Sequence, residues 1–312
     1  MRAELLKWLQ CRRCGSGYVP SASAVDGPEI ISGELRCCCP QGVPVLKGIP
    51  RFVPSEQYTA SFGFEWTRHR QTQLDSFTGR GESARRLRES SDFPLDELCG
   101  KLVLDAGCGA GRFAEVVADH GGTVVGVDLS LAVEAASRNL AGRENVHLLQ
   151  ADLHELPFAE GTFDVIYSLG VLHHTPSPER AFMALPGLLK PGGKISVTVY
   201  SSYQKIFVYN SRFWRAITTR LPRRVLYYLC FSAVPLYYLY RIPVLGDLMK
   251  MFFLISLHPD WRWRVLDTFD WYSPAYQHWF THHEVFQWFD RAGLRNVKVL
   301  PAAVSLIGER PR

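Results

Sequence analysis

Residues 102–112 read LVLDAGCGAGR, an apolar run of strand length that ends in three glycines at every second position before a stretch of helical spacing. Glycine lets such a turn adopt positive φ and lets bare backbone approach a ligand, while the free amides at the start of the next helix face a polar group. Eleven residues after Gly111 the chain reads GTVVGVDLS, which puts Asp128 at the tip of a second strand. A carboxylate there accepts hydrogen bonds from ribose hydroxyls. A strand, a glycine turn, a helix and an acidic residue about 20 positions on are the context in which a glycine triplet signals a nucleoside-type cofactor rather than an ordinary loop.

Spacing separates the two cofactor classes that use this arrangement. A dinucleotide site spaces its glycines G-x-G-x-x-G, so that the last one packs the helix under a pyrophosphate. Here the order is D-x-G-x-G-x-G, from Asp105 through Gly107, Gly109 and Gly111. A carboxylate at the strand end repels a pyrophosphate and suits the cationic amino group of a methionine moiety. With these residues the segment resembles motif I of the class I methyltransferases that use S-adenosylmethionine. The resemblance implies an α/β fold, a Rossmann-like seven-stranded methyltransferase sheet with helices on both faces. It also implies cofactor contacts at Asp105, Gly107, Cys108, Gly109, Gly111, Asp128, Leu129, Asp152, Leu153 and Ser168.

The downstream order agrees. Residues 146–151 read as a third strand, and Asp152 at its end resembles the acidic residue that meets the adenine amino group. FDVIYSLGVLHH, residues 163–174, reads as a buried fourth strand running into an active-site loop, and LLKPGGKISVTVY, residues 188–200, as a helix end, a Pro-Gly-Gly turn and a fifth strand. Thr281 and Glu284 form a capping box for a helix over 282–292, and residues 297–300 and 304–307 form a closing hairpin.

Five of the eight cysteines fall within the first 39 residues: Cys11, Cys14, Cys37, Cys38 and Cys39. The N-terminus carries no long apolar segment ahead of a small-residue cleavage site, so a cytoplasmic location is expected. In a reducing compartment clustered cysteines point to metal before disulfide. Cys11-Arg-Arg-Cys14-Gly is a knuckle whose two thiolates grip one tetrahedral zinc, which a second pair about 22 residues later would close. GVPVLKGIPRFVP follows, and it resembles the end of the zinc-ribbon module of the Trm112 activator family. Relative to that pattern Arg36 occupies a ligand position. Cys39 is then the last ligand and Cys37 or Cys38 serves as the third, with Cys11, Cys14, Cys37 and Cys39 the preferred structural zinc set. A ribbon that has lost its metal, and redox chemistry, are the alternatives.

With 47% hydrophobic residues over 312 positions, the chain can bury a large core and still carry further modules. The expected division is a ribbon at 1–54, a helical linker or lid at 55–99, the cofactor-binding core at 100–202, a helical insertion at 203–264, and a closing helix with hairpin at 265–312. In the lid, Phe64, Trp66 and Arg68 are candidates to line the site, with a packing helix as the plain alternative. The insertion carries ten Lys or Arg against two Asp, which is +8 where the whole chain is +5. Beside the charge runs VLYYLCFSAVPLYYLY, residues 225–240, sixteen uncharged residues interrupted by Pro235. That falls short of the roughly 20 residues needed to span a bilayer and suits a basic, aromatic surface lying in the membrane interface. A lid or dimer contact is the alternative. A nucleic-acid face would interleave its charges and aromatics, so nucleic acid is the least favoured partner.

No Asn/Asp-Pro-Pro-Tyr tetrapeptide follows the fourth strand; the position reads SLGVLHH. This departure favours O- or C-methylation of a small, glycan or lipid-linked acceptor over amino-group methylation. His173 and His174 fall where a base would act, each with a structural histidine as its plain reading. DWYSPAYQHWFTHHE, residues 270–284, resembles the acceptor-side segment of methyltransferases found beside glycan enzymes, and makes Tyr272, Tyr276 and His278 substrate candidates with Trp66. A cofactor-binding scaffold without turnover is the competing class, and the intact set of acidic residues and glycines favours an enzyme. Oligomeric state is not readable from these patterns.

Overall fold

Gly27, at φ 53°, turns the strand Val19–Asp26 (β1) back onto Glu29–Arg36 (β2), and Val43–Leu46 (β3) and Ile49–Pro50 (β4) extend the pair into a four-stranded antiparallel sheet. The computed structural model describes residues 1–53 and 59–312, so the boundary expected at 54/55 and the linker start at 55–58 lie outside the described residues. Every side chain of β1 faces solvent, whereas Leu35 and Val45 bury completely on the other side and join the apolar core of the large sheet. The small sheet therefore rests on the larger one. The joint is also polar and specific: Phe52 N donates to Gln150 O at 2.8 Å, and the buried Arg51 guanidinium bonds Gln150 Oε1 at 3.0 Å and Glu134 Oε1 at 2.9 Å.

After Ala60–Arg68 (α1), Asp75–Thr78 (α2) and Glu82–Ser91 (α3), the chain enters the main sheet at Leu102–Ala106 (β5). Arg112–Asp119 (α4), Thr123–Asp128 (β6), Ala132–Asn139 (α5), Val146–Gln150 (β7), Phe163–Leu169 (β8), Pro178–Met183 (α6) and Leu189–Val199 (β9) follow in alternation. The closing elements are Arg295–Val299 (β10) and Val304–Glu309 (β11). The strands lie in the order β10-β11-β9-β8-β5-β6-β7, parallel except for the antiparallel pairs that β11 makes with β9 and β10. This is the Rossmann-like sheet expected from the sequence. Alternation along β5 sends Leu102, Leu104 and Ala106 to one core and Val103 to the other, beneath α3, α4 and α5. Helices thus cover both faces.

Two local expectations change. The Pro-Gly-Gly segment is part of β9 instead of a turn before it: Gly192 N donates to Arg310 O and Arg310 N to Gly193 O, both at 2.9 Å. Gly192, at φ 78°, absorbs the irregularity while the register against β8 shifts between Phe163 and Val165. The uncharged run 225–240 breaks at residues 231–232 and not at Pro235.

The insertion is helical as expected, comprising Lys205–Thr218 (α7), Arg223–Cys230 (α8), Ala233–Tyr240 (α9) and Leu245–Phe252 (α10) ahead of Trp261–Tyr272 (α11) and His282–Arg291 (α12). Pro235 sits in the first turn of α9, where its missing N–H has no intrahelical partner to lose. Asp260 caps α11 by accepting from Arg262 N and Trp263 N, and the Thr281–Glu284 box caps α12. Leu226, Tyr227, Cys230, Leu254, Val265 and Phe269 pack into a core of their own, against Phe64 of α1. Among the described residues no helix is long and apolar enough to cross a membrane.

Because Arg51 is buried at the joint between the sheets, Arg51→Ala removes the donor to Gln150 Oε1 and leaves Glu134 with only its exposed partner Lys47. The expected cost is about 2 kcal/mol by urea denaturation, together with faster proteolysis near the joint.

Candidate functional site

A cleft of about 350 Å³ opens at the C-terminal ends of the parallel strands, where ligands bind in open α/β sheets. Its floor is the glycine loop. Gly107, Gly109 and Gly111 have φ of 96°, 53° and 87°, and a Cβ on Gly107 would stand 2.4 Å from the Val171 side chain. The amides of Gly107 and Cys108 both donate to Val127 O, at 2.8 and 2.9 Å. Gly109 N donates to Asp128 Oδ2 at 2.9 Å, while Ser130 N and Oγ donate to Oδ1 at 2.8 and 2.7 Å. Burial raises the Asp128 carboxyl, and these bonds from Ser130 and Gly109 pull it back. The carboxylate is thereby held rigidly at the strand tip. Asp152 lines the same end and accepts from His154 N at 2.9 Å and His154 Nδ1 at 2.7 Å.

Of the residues expected at the cofactor, Gly107, Cys108, Gly109, Asp128, Leu129, Asp152 and Leu153 line the cleft. Asp105, Gly111 and Ser168 stand behind it. Period-two alternation turns Asp105 toward the α4 side of β5, where it is buried beside Tyr167 rather than facing a ligand's amino group. Burial lifts its carboxyl to about 8, opposed by the Tyr167 hydroxyl and the Ala114 amide and assisted by Asp128. Gly111 caps α4, and Ser168 Oγ donates to Ala106 O at 2.8 Å.

The two histidines part company. His174 lines the cleft; its Nδ1 lies 3.0 Å from the Tyr276 carbonyl, which can only accept, so the proton sits on Nδ1 and Nε2 is a free acceptor. Burial pushes His174 down to about 3, which makes it a weak base at neutral pH. His173 is fully buried, stacked on Tyr200 at 3.8 Å and outside the lining. Among the substrate candidates Trp66 lines the cleft, its indole 3.4 Å from where a Gly109 Cβ would be. Tyr272 does not: it is buried in the insertion core, its hydroxyl donating to Leu254 O and accepting from Leu254 N, both at 2.9 Å. Tyr276 contributes its carbonyl to His174, and His278 donates its amide to His173 O at 2.9 Å; neither side chain lines the cleft. Phe64 and Arg68 likewise face Tyr227 of the insertion.

Sequence reasoning missed the wall opposite the nucleotide end, formed by Glu65, Tyr200, Asp267 and Asp270 with Arg86 and Trp271. Asp267 and Asp270 lie three apart on α11 and so share a face. That spacing was the available signal. Tyr200 donates to Asp270 Oδ2 at 3.0 Å, and burial raises both aspartates to about 6.

At the other end of the molecule, Cys11, Cys14, Cys37 and Cys39 bring their sulfurs within 4.8 Å of one another. The Cys11–Cys39 separation of 3.8 Å equals the edge of a tetrahedron with metal–sulfur bonds of about 2.3 Å, as zinc requires. The tight Cys-x-Cys pair is feasible because Cys39 N donates to Cys37 Sγ at 3.4 Å, folding the two sulfurs to one side. Cys38 lies beside the group, its Sγ 3.6 Å from Ser16 Oγ, and is not one of the four mutually close sulfurs. The four cysteines fit a structural zinc.

Residues 104–197, spanning the glycine strand to the fifth strand of the core, match the family model of a methyltransferase domain. The chain carries a methyltransferase domain. A ubiquinone biosynthesis O-methyltransferase of Coxiella burnetii is 35% identical over 114 residues, which is 36% of this chain and 49% of that protein. Its namesake from Acinetobacter baumannii is 33% identical over 118 residues, with the same shares. The match thus spans about half the length of these curated relatives. Among solved structures, a complex between the Haloferax volcanii Trm112 methyltransferase activator and a methyltransferase is 17% identical, covering 80% of this chain and 98% of that one at a TM-score of 0.46. The methyltransferase domain fits S-adenosylmethionine in its own right: a glycine loop at positive φ, with no space for a Cβ at Gly107, lines the cleft beside a carboxylate held at the strand tip, the acceptor that a cofactor's ribose would require.

Three outcomes are expected. Asp128→Ala removes a charged hydrogen-bond acceptor worth about 1.5–3 kcal/mol, so S-adenosylmethionine should bind about 10- to 100-fold more weakly by calorimetry. Cys37→Ser should lower the zinc content of the purified protein by elemental analysis, whereas Cys38→Ser should not. Asp105 has a folded-state pKa above its unfolded value, so its burial favours the fold below about pH 4 and progressively loses that contribution as pH rises through about 8. Asp105→Asn should then gain thermal stability relative to the parent between pH 5 and 9, measured without cofactor; an identical pH dependence in both would refute the assignment.

Proposed function

We propose that the chain is an S-adenosylmethionine-dependent O-methyltransferase acting on a small, glycan or lipid-linked acceptor at the cytoplasmic face of a membrane. One observation supports the activity above others: a single cleft is lined both by the glycine loop, Asp128 and Asp152 and by the polar and aromatic side chains Glu65, Trp66, Tyr200 and Asp270. When bound, S-adenosylmethionine supplies an activated methyl group on a sulfonium, so the chain's own task is mainly to align an acceptor and exclude water. Trp66, from the helix ahead of the core, packs at Gly109, and Val171, from the loop after β8, packs at Gly107. This supports the reading of 55–99 as a lid on the 100–202 core.

The membrane part of the proposal rests on the outer surface of the insertion. Ile206, Tyr209, Phe213 and Ile217 recur along one side of α7, and Tyr209 and Phe213 are 65% and 64% exposed. Leu248, Met251 and Phe252 of α10 are exposed as well, with Arg212, Arg220, Arg223, Arg224 and Arg241 around them. Exposed apolar residues among cations complement an anionic lipid surface, each cation near it contributing about 1 kcal/mol. Charge without such a surface would suit nucleic acid better.

Calorimetry with S-adenosylmethionine tests the donor, and absence of binding would sink the enzyme reading. Co-sedimentation with phosphatidylglycerol vesicles tests the surface. Phe213→Glu and Phe252→Glu should each weaken association about 10-fold or more, with no effect on cofactor affinity. Full-length protein that ignores these vesicles refutes the membrane contact.

A further inference from the structure

Glu65 is the least expected group in the cleft. It sits on α1, beside Trp66, and is 1% exposed; its Oε2 has no hydrogen-bond partner although the residue lines the cavity. A buried carboxyl oxygen without a partner costs several kcal/mol unless a ligand supplies a donor. His174 Nε2 shows the same deficit in the same cavity, at the ring edge opposite the Nδ1 that serves Tyr276. Asp267 and Asp270 of α11 complete the wall, with Tyr200 committed to Asp270. Glu65 and His174 line one cavity and each holds a buried acceptor without a partner, a deficit that a ligand donating hydrogen bonds would relieve. The three carboxylates are not gathered as a cation site: among the described residues only the four cysteines bring three or more ligand atoms within 4.8 Å.

We propose that Glu65 is the catalytic proton acceptor for the hydroxyl of the methyl acceptor, with Asp267, Asp270 and Tyr200 as positioning residues around it. The inference rests on the O-methyltransferase reading above. In the step, the acceptor oxygen forms a bond to the methyl carbon as the carbon–sulfur bond breaks. The bonding pair goes to sulfur, which becomes a neutral thioether, and the hydroxyl proton passes to the Glu65 carboxylate. A sulfonium and a carboxylate thus become a thioether and a carboxylic acid, so the pair is neutral overall on both sides of the reaction. A dry site favours that pairing, because two opposite charges attract strongly where water is excluded.

The surroundings fit a group that must change charge state. Burial first, then Asp270 and Asp267, push the Glu65 carboxyl well above the usual carboxylate range. Arg86 and Arg112 pull Asp267 down, Arg215 and Arg86 do the same for Asp270, and Tyr227 and Cys230 face Glu65 from α8. Burial beside two other carboxyls favours the neutral form of this group. A sulfonium in the cleft favours the ionised base, and its conversion to a thioether favours the acid that results.

Infrared difference spectra of the full-length protein between its S-adenosylhomocysteine and S-adenosylmethionine complexes read this exchange. With the thioether a neutral-carboxyl stretch should be present, and with the sulfonium it should disappear. Glu65→Gln should abolish the change and Glu65→Asp should keep it. By calorimetry Glu65→Gln should also reduce the preference for the sulfonium over the thioether by about 10-fold, equivalent to about 1.4 kcal/mol. Equal weakening of both ligands would assign Glu65 to the amino group they share and overturn the proposal, as would a carboxyl band that survives Glu65→Gln. Binding of neither ligand to the parent protein would remove the methyltransferase reading too, whereas binding of both with no carboxyl change removes this inference alone.

Discussion

Three successive amides hold the site together. Those of Gly107 and Cys108 converge on one carbonyl, that of Val127, and that of Gly109 reaches the carboxylate of the next residue, Asp128. The loop after β5 is thereby fastened to the end of β6, and only residues that tolerate positive φ can follow that path. The fastening also fixes the floor against which Trp66 and Val171 pack. A larger residue at Gly107 would have to displace Val171, and with it the loop that carries His174. The Asp128 carboxylate, the floor and the Trp66 and Val171 side chains packed on it are therefore parts of one mechanical unit.

Much of this was legible in the sequence because it is local. Strand, turn, helix and the next strand fall between residues 102 and 128, and each position there has a single favoured geometry. The cysteine set was legible for the same reason, although the choice of Cys37 over Cys38 depended on a turn that spacing does not specify. Asp105 lies in the expected strand but turns toward Tyr167, since one step along a strand decides which face a side chain serves. Tyr272 looked like an acceptor contact because of its aromatic neighbours. It instead satisfies both backbone groups of Leu254 within the insertion.

The acceptor wall was illegible for a different reason. Glu65, Tyr200 and Asp270 come from three elements far apart in the chain, and nothing in the sequence around any one of them announces the others. Only the packing of α1 and α11 over the strand ends brings them together. The insertion likewise conceals its logic: one side is an ordinary core around Phe269, and the other leaves tyrosines and phenylalanines in solvent beside arginines.

The docking of the ribbon onto the outer strand has a consequence for the edge of the sheet. The backbone of residues 51–52 runs beside β7 as a partial extra strand, covering what would otherwise be an open edge. Gln150, which that backbone grips, stands two positions before Asp152 at the nucleotide end of the cleft. The ribbon therefore completes the sheet at its β7 edge, so that the strand leading to Asp152 has backbone partners on both sides.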